Sequence, residues 1–192
     1  MSSPELLIVG CWIVFVAIWL AAARSRKETA EREPLPGRIA YALPLFIGSV
    51  LIFNGFSHTS YPLRLETPIL PQSPLTGWLG FAITASGVII AVWARKALGR
   101  NWSASVVVKQ DHELVTSGPY ALVRHPIYTG FLMMYAGSVV ALGTRAACLG
   151  LVLIVFGIRI KLGLEERLMS RTFADSYQAY AARSKRIIPF IW

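Results

Sequence analysis

Charge is scarce in this chain, and cysteine and histidine are scarcer still. Only 15% of its 192 residues are charged, against 55% hydrophobic, where a soluble domain carries about 25% charged residues. That imbalance excludes an ordinary water-soluble globule. The two cysteines, Cys11 and Cys148, sit apart in apolar runs with no CxxC spacing, which excludes a disulfide framework or a zinc finger. The three histidines, His58, His112 and His125, are scattered rather than clustered, so no metal site is expected. No glycine-rich strand-to-helix fingerprint is present, which argues against a Rossmann or P-loop nucleotide site. Internal repeats and low-complexity tracts are missing as well.

What the chain does have is long uncharged runs. Leu6–Ala23, Ile39–Phe56, Trp78–Ala94 and Ile127–Leu142 approach the ~20 residues that cross a ~30 Å hydrocarbon core. A fifth run, Ala146–Ile158, is short alone and continues through Arg159 and Lys161. The pattern predicts an all-α integral membrane protein of about five transmembrane helices. Residues 1–98 supply three spans, with Pro44 inside the second and Trp78 and Trp93 as interfacial anchors of the third. Residues 99–192 supply a loop, a helical hairpin and an amphipathic tail helix. The first run reads as a retained anchor, because Met1–Glu5 holds no basic residue while Arg24, Arg26 and Lys27 follow it.

The net charge of +9 would suggest nucleic acid in a soluble protein. Its distribution says otherwise. Alternate loops hold seventeen Lys/Arg on one side (24–38, 95–124 and 159 onward) and two on the other, Arg64 and Arg145. By the positive-inside rule, the long 95–126 loop and the tail are cytoplasmic, and the partner is the lipid bilayer rather than nucleic acid. The brief N-terminal segment suits a prokaryotic inner membrane.

Only Gly143-Thr144-Arg145 separates the last two runs, and so short a link makes an antiparallel helical hairpin. It brings Arg124-His125, Arg159, Lys161 and Glu165-Glu166 to one membrane edge. Arg159 has risen only about 20 Å from the start of its helix, below the surface unless its side chain snorkels outward. One reading is snorkelling with an i,i+4 pair of Lys161 and Glu165. The other is a polar cavity at the depth where ionisable residues mark functional sites. Pro126 suits a first helical turn, which puts His125 at a helix N-terminus ready to attract an anion. In the tail, Leu164, Leu168, Phe173, Tyr177 and Tyr180 recur along one helical face. Residues 183–192 are expected to lie against the membrane surface.

Taken in order, His112-Glu113-Leu114-Val115, Gly118-Pro119-Tyr120, Arg124-His125-Pro126-Ile127-Tyr128 and Glu165-Glu166, then Phe173, Tyr177 and Tyr180, form a pattern that resembles the isoprenylcysteine carboxyl methyltransferase family. Membrane phospholipid methyltransferases share much of it. The resemblance covers roughly residues 99 to 189. It implies S-adenosylmethionine as methyl donor and a lipophilic or lipidated acceptor. It also implies donor contacts at Lys109, His112, Leu114, Val115, Tyr120, Arg124, His125, Pro126, Tyr128 and Glu165. Where that family has an arginine four residues before the donor-binding glutamate, this chain has Lys161, a point charge rather than a bidentate fork. His125, Arg159 and Lys161 are therefore the candidates for work on the acceptor. A carboxylate acceptor needs only a cation to orient it, whereas an amine or thiol needs a base such as His125. A sterol-type reductase using NADPH, from longer chains with a similar C-terminal region, is the rival of another class.

Overall fold

The computed structural model describes residues 1–23, 29–32, 35–57, 62–99, 102, 107–109 and 114–188, with backbone alone at 23, 29–32, 62 and 107–109. Five helices carry the architecture: α1 (Ser3–Ala23), α2 (Leu35–Phe56), α3 (Pro74–Leu98), α4 (Pro126–Leu142) and α5 (Arg145–Arg183). The all-helical membrane reading holds. Helices α1, α2, α3 and α5 are long and apolar enough to cross a membrane, while α4 has 17 residues. Ten of those 17 are buried, which makes α4 the core around which the longer spans pack.

In lipid, apolar surface alone does not drive helices together; close packing does. Glycine provides it here at two antiparallel seams. Between α3 and α4, Gly80 faces Gly137 and Gly87 faces Gly130. A Cβ added at either member of the first pair would stand 2.5 Å from the opposite carbonyl oxygen. The α2–α5 seam repeats the device with Gly48 against Gly150, and Gly157 packs on Leu45 and the Tyr41 carbonyl. Side chains that cannot be left bare in lipid are paired across helices. Trp12 Nε1 donates to Ser138 Oγ at 3.1 Å, and Ser49 shares a 2.8 Å hydrogen bond with Tyr135. The hairpin partners α4 and α5 touch each other far less than each touches its glycine seam.

At the turn end, Gly143 closes α4 in the left-handed conformation that glycine tolerates (φ 60°). Thr144 then caps α5 by accepting from the Ala147 N–H. The segment before α3 supplies the missing partners. Ile69 and Leu70 donate to the Gly143 carbonyl, and Gln72 Nε2 donates to Leu142 O at 2.7 Å. In return, the N–H groups of Arg145 and Ala146 donate to Thr67 and Leu65.

Two expectations need correction. The tail helix does not start afresh at Leu164: α5 runs on past that residue, and a kink at Ala174 (φ 41°) sets off its last stretch. The expected surface placement of the last residues does not extend to Ile187. Ile187 is 2% exposed within the protein core, and Thr129 Oγ1 donates to its carbonyl at 2.7 Å. Residues 189–192 fall outside the described set. A short antiparallel ribbon, β1 (Thr29–Arg32) with β2 (Val107–Lys109), joins the α1–α2 and α3–α4 connections. Nothing in the helical pattern announced it.

Candidate functional site

The site forms where the connection into α4 meets the upper part of α5. A span uses about 20 residues, so α5 leaves the hydrocarbon near Leu164 and presents Glu165 and Glu166 just beyond it. On the other side, Pro126 opens α4 and His125 occupies the N-cap without a side-chain cap bond.

Glu166 is the hub. Arg124 Nε donates to its Oε1 at 3.0 Å, Arg186 Nη2 reaches Oε2 at 2.5 Å, and His125 Nε2 stands 3.4 Å from Oε1. Burial would raise this carboxyl, but the neighbouring His125 and Arg124 overcome it and lower it to about 2. Arg124 is held further by its Nη1, which also donates to the carbonyls of Ala181 and Ser184. The backbone repeats the bond: Arg124 N–H donates to Lys185 O, His125 N–H donates to Arg186 O, and Val123 pairs with Lys185 in a parallel bridge. The end of the described chain is thereby strapped across the start of α4.

Glu165 is left for other work. Tyr128 Oη donates to its Oε1 at 2.5 Å, and His125 Nδ1 lies 3.6 Å from its Oε2. His125 is buried, and its Nε2 lacks hydrogen-bond geometry to any described group despite the nearby Glu166. A buried imidazole nitrogen in that state is a ready contact for a ligand. Lys161 joins from below, its Nζ 5.1 Å over the Tyr41 ring and 5.7 Å over the Tyr128 ring. Cation–π attraction thus ties α2 and α4 to α5 at this level.

An apolar wall adjoins these charges. Tyr120, Ala94, Trp102 and Ile127 form a buried cluster with Val115 packed on it. Burial pushes the Tyr120 phenol well up, with Glu165 and Tyr180 adding to the effect and Arg95 opposing it. Tyr180 Oη donates to the Tyr120 carbonyl at 2.7 Å, which anchors the tail beyond the Ala174 break.

Among the residues named from sequence, Val115, Tyr120, Arg124, His125, Pro126, Tyr128, Lys161 and Glu165 gather around this junction. Leu114 is half-buried beside Val115. Lys109 is placed only by its backbone in β2, and His112 lies outside the described residues. Arg159 is exposed. Two positions from Lys161, it points about 200° away around the helix. One acceptor cannot meet both side chains.

The sequence reading missed Arg95, counted there only as a loop charge. Its guanidinium is buried against Trp102 at 4.7 Å, with Nη1 donating to Gly99 O and Nη2 to Ala22 O. It also missed the roles of Glu166 and Arg186. The doubled glutamate was the available signal for the former; nothing local marks Arg186 within its basic run.

A family model described as phospholipid methyltransferase matches residues 75–176, more than half of the 192-residue chain. This chain belongs to the phospholipid methyltransferase family. The matched stretch holds α3, α4 and nearly all of α5 up to just past the Ala174 break, and so contains the carboxylate–imidazole junction. Arg186 and Tyr41 lie outside it. Curated relatives share part of this family core. A probable protein-S-isoprenylcysteine O-methyltransferase of Oryza sativa subsp. indica is 28% identical over 127 residues, 65% of this chain and 66% of that protein. The protein-S-isoprenylcysteine O-methyltransferase of Schizosaccharomyces pombe is 35% identical over 96 residues, 48% of this chain and 41% of that one. YpbQ of Bacillus subtilis, whose name assigns no activity, is 29% identical over 126 residues, 64% of this chain and 70% of its own. The chain spans just under two thirds of the length of the rice relatives.

Proposed function

We propose that the protein is an S-adenosylmethionine-dependent integral membrane methyltransferase, most like isoprenylcysteine carboxyl O-methyltransferase, acting on a lipophilic acceptor. The observation that carries this reading is the junction of Glu165, Tyr128 and His125 within the family-matched segment. There a carboxylate, a buried imidazole nitrogen and an apolar aromatic wall meet at the membrane edge. The donor set fits a ligand with a cationic amino group, a carboxylate and a flat purine.

When bound, S-adenosylmethionine supplies an electrophilic methyl group. Glu165, oriented by Tyr128, holds a cationic group through a charge-assisted hydrogen bond. His125 and the opening turn of α4 hold a carboxylate. Val115 and Tyr120 offer an apolar surface to the purine, with Leu114 next in the chain. Lys109 and His112 belong to the same connection and are assigned to the donor by resemblance alone. The Glu166–Arg124–Arg186 clamp keeps the tail over this junction and excludes water.

Lys161 is the cation facing the junction from below, suited to orienting an acceptor carboxylate without a base. The description of the family favours a second acceptor class, an amine-bearing phospholipid, for which His125 would have to remove a proton. The excess of basic residues on the junction's side supports a cytoplasmic site, with the acceptor arriving laterally from the bilayer. Residues 1–98 then act as membrane support, and 99–192 as the methyl-transferring core.

Calorimetric titration of the detergent-purified chain with S-adenosylhomocysteine and, separately, NADPH tests the reading. Binding of S-adenosylhomocysteine that weakens in Glu165→Ala is expected. NADPH binding without any response to S-adenosylhomocysteine would instead favour a reductase.

A further inference from the structure

The outward face of α5 carries a second feature that the methyl-transfer reading does not use. Leu149, Val152, Val155 and Phe156 are 43–64% exposed, and in a membrane that surface meets acyl chains. Continuing in steps of three and four, the stripe that begins at Val152 and Phe156 passes through Arg159, Gly163, Arg167 and Ser170. Apolar contact thus gives way to cationic contact along one continuous face, on the side of α5 turned away from Lys161.

The arrangement has a notch at its centre. A Cβ added at Gly163 would meet nothing within 4 Å, so the helix backbone there is open to an approaching group. Arg159 and Arg167 stand one turn below and one turn above it, about 12 Å apart along the axis, within mutual reach of extended arginine side chains. Both are exposed, and among the described residues no carboxylate bridges to either: Glu165 and Glu166 are engaged with Tyr128, His125, Arg124 and Arg186. Arg159, about 21 Å along a helix that starts at Arg145, lies inside the hydrocarbon boundary. A lipid-facing cation at that depth is costly unless an anionic group is drawn to it.

We propose that this face binds an anionic phospholipid, with its phosphodiester seated over Gly163 between Arg159 and Arg167 and its acyl chains along Val152 and Phe156. Arginine suits the task because its planar fork grips phosphate oxygens in pairs. The assignment is independent of the methyl donor, and binding of S-adenosylhomocysteine has no part in its test.

Native mass spectrometry of the purified full chain, offered equal phosphatidylglycerol and phosphatidylcholine, reads the site directly. Preferential retention of phosphatidylglycerol is expected. The Arg159→Gln/Arg167→Gln pair should lower that preference by about 30-fold, at about fivefold per arginine. Gly163→Leu, whose Cβ would enter open space in the notch, should lower it while leaving the charge unchanged. Arg145→Gln, at the far end of α5, should leave it intact. A wild-type chain without the preference, a double variant that retains it, or equal loss in Arg145→Gln overturns the proposal. So does displacement of phosphatidylglycerol by millimolar glycerophosphate, because the apolar half of the stripe would then contribute nothing.

Discussion

The two ends of the α4–α5 hairpin are held by different chemistry. At the turn end the fastening is backbone to backbone. The 65–72 segment donates to the closing carbonyls of α4 and accepts from the first N–H groups of α5, with the Gln72 side chain adding to the seam. At the other end the fastening is made by side chains: one carboxylate, Glu166, and two guanidinium groups, with the His125 imidazole beside them. A backbone seam cannot exchange partners without unfolding. A side-chain cluster can, and it sits next to groups such as His125 Nε2 that have hydrogen-bonding capacity to spare. The closed end serves stability, and the ionic end adds to stability the groups to which the proposed function assigns ligand binding.

Breaking the ionic hub should have the largest effect. Glu166→Ala leaves two guanidinium groups facing each other without their shared carboxylate and should cost about 3 kcal/mol, read as a lowered Tm in detergent. The sign of its pH dependence follows from the depressed carboxyl. Its stabilisation is complete above the ordinary glutamate range and fades as pH falls toward about 2. The Tm gap between wild type and Glu166→Gln should therefore be constant from pH 8 to 6 and narrow below about pH 4.5. A gap that widened on acidification would contradict the clamp.

Next in size is Glu165→Gln, which keeps a hydrogen-bond acceptor for Tyr128 but removes the charge. S-adenosylhomocysteine affinity should fall about 30-fold, the value of one charge-assisted hydrogen bond, with Tm nearly unchanged. The smallest effect belongs to the turn end. Gln72→Ala should cost about 1 kcal/mol and leave ligand affinity at its wild-type value in the same titration. If Gln72→Ala weakened binding as much as Glu165→Gln, the contrast between the two ends would fail.

The helices were legible because uncharged runs of this length have few alternatives in a chain so poor in charge. The hairpin was legible for the same reason, with Gly143-Thr144 marking a stop and a start. His125, Tyr128 and Glu165 could be brought together before any coordinates, since a three-residue link fixes which helix ends meet. The position of Ile187 could not be read this way, because its burial depends on a bridge between Val123 and Lys185, 62 positions apart, and not on its own apolar neighbourhood. Arg95 was hidden for a related reason. In sequence it closes an apolar run like any interfacial cation, and only the approach of Ala22 and Trp102 turns it inward. Arg159 and Lys161 looked equivalent as two early charges; helical phase alone separates them.

The uninterrupted course of α5 from Arg145 has a consequence for the membrane itself. Glu165 stands twenty residues above the hairpin turn, a rise of about 30 Å, which equals the thickness of an average hydrocarbon core. Because the 65–72 segment pins the lower end, the height of the carboxylate is set by the protein and not by the lipid. In a bilayer of matching thickness, the reactive end of the proposed acceptor would float at the level of the junction. In a thinner one Glu165 would stand above the headgroups, and in a thicker one it would be drawn beneath them. The helix is in effect a gauge, and bilayer thickness becomes a variable on which access to the site depends.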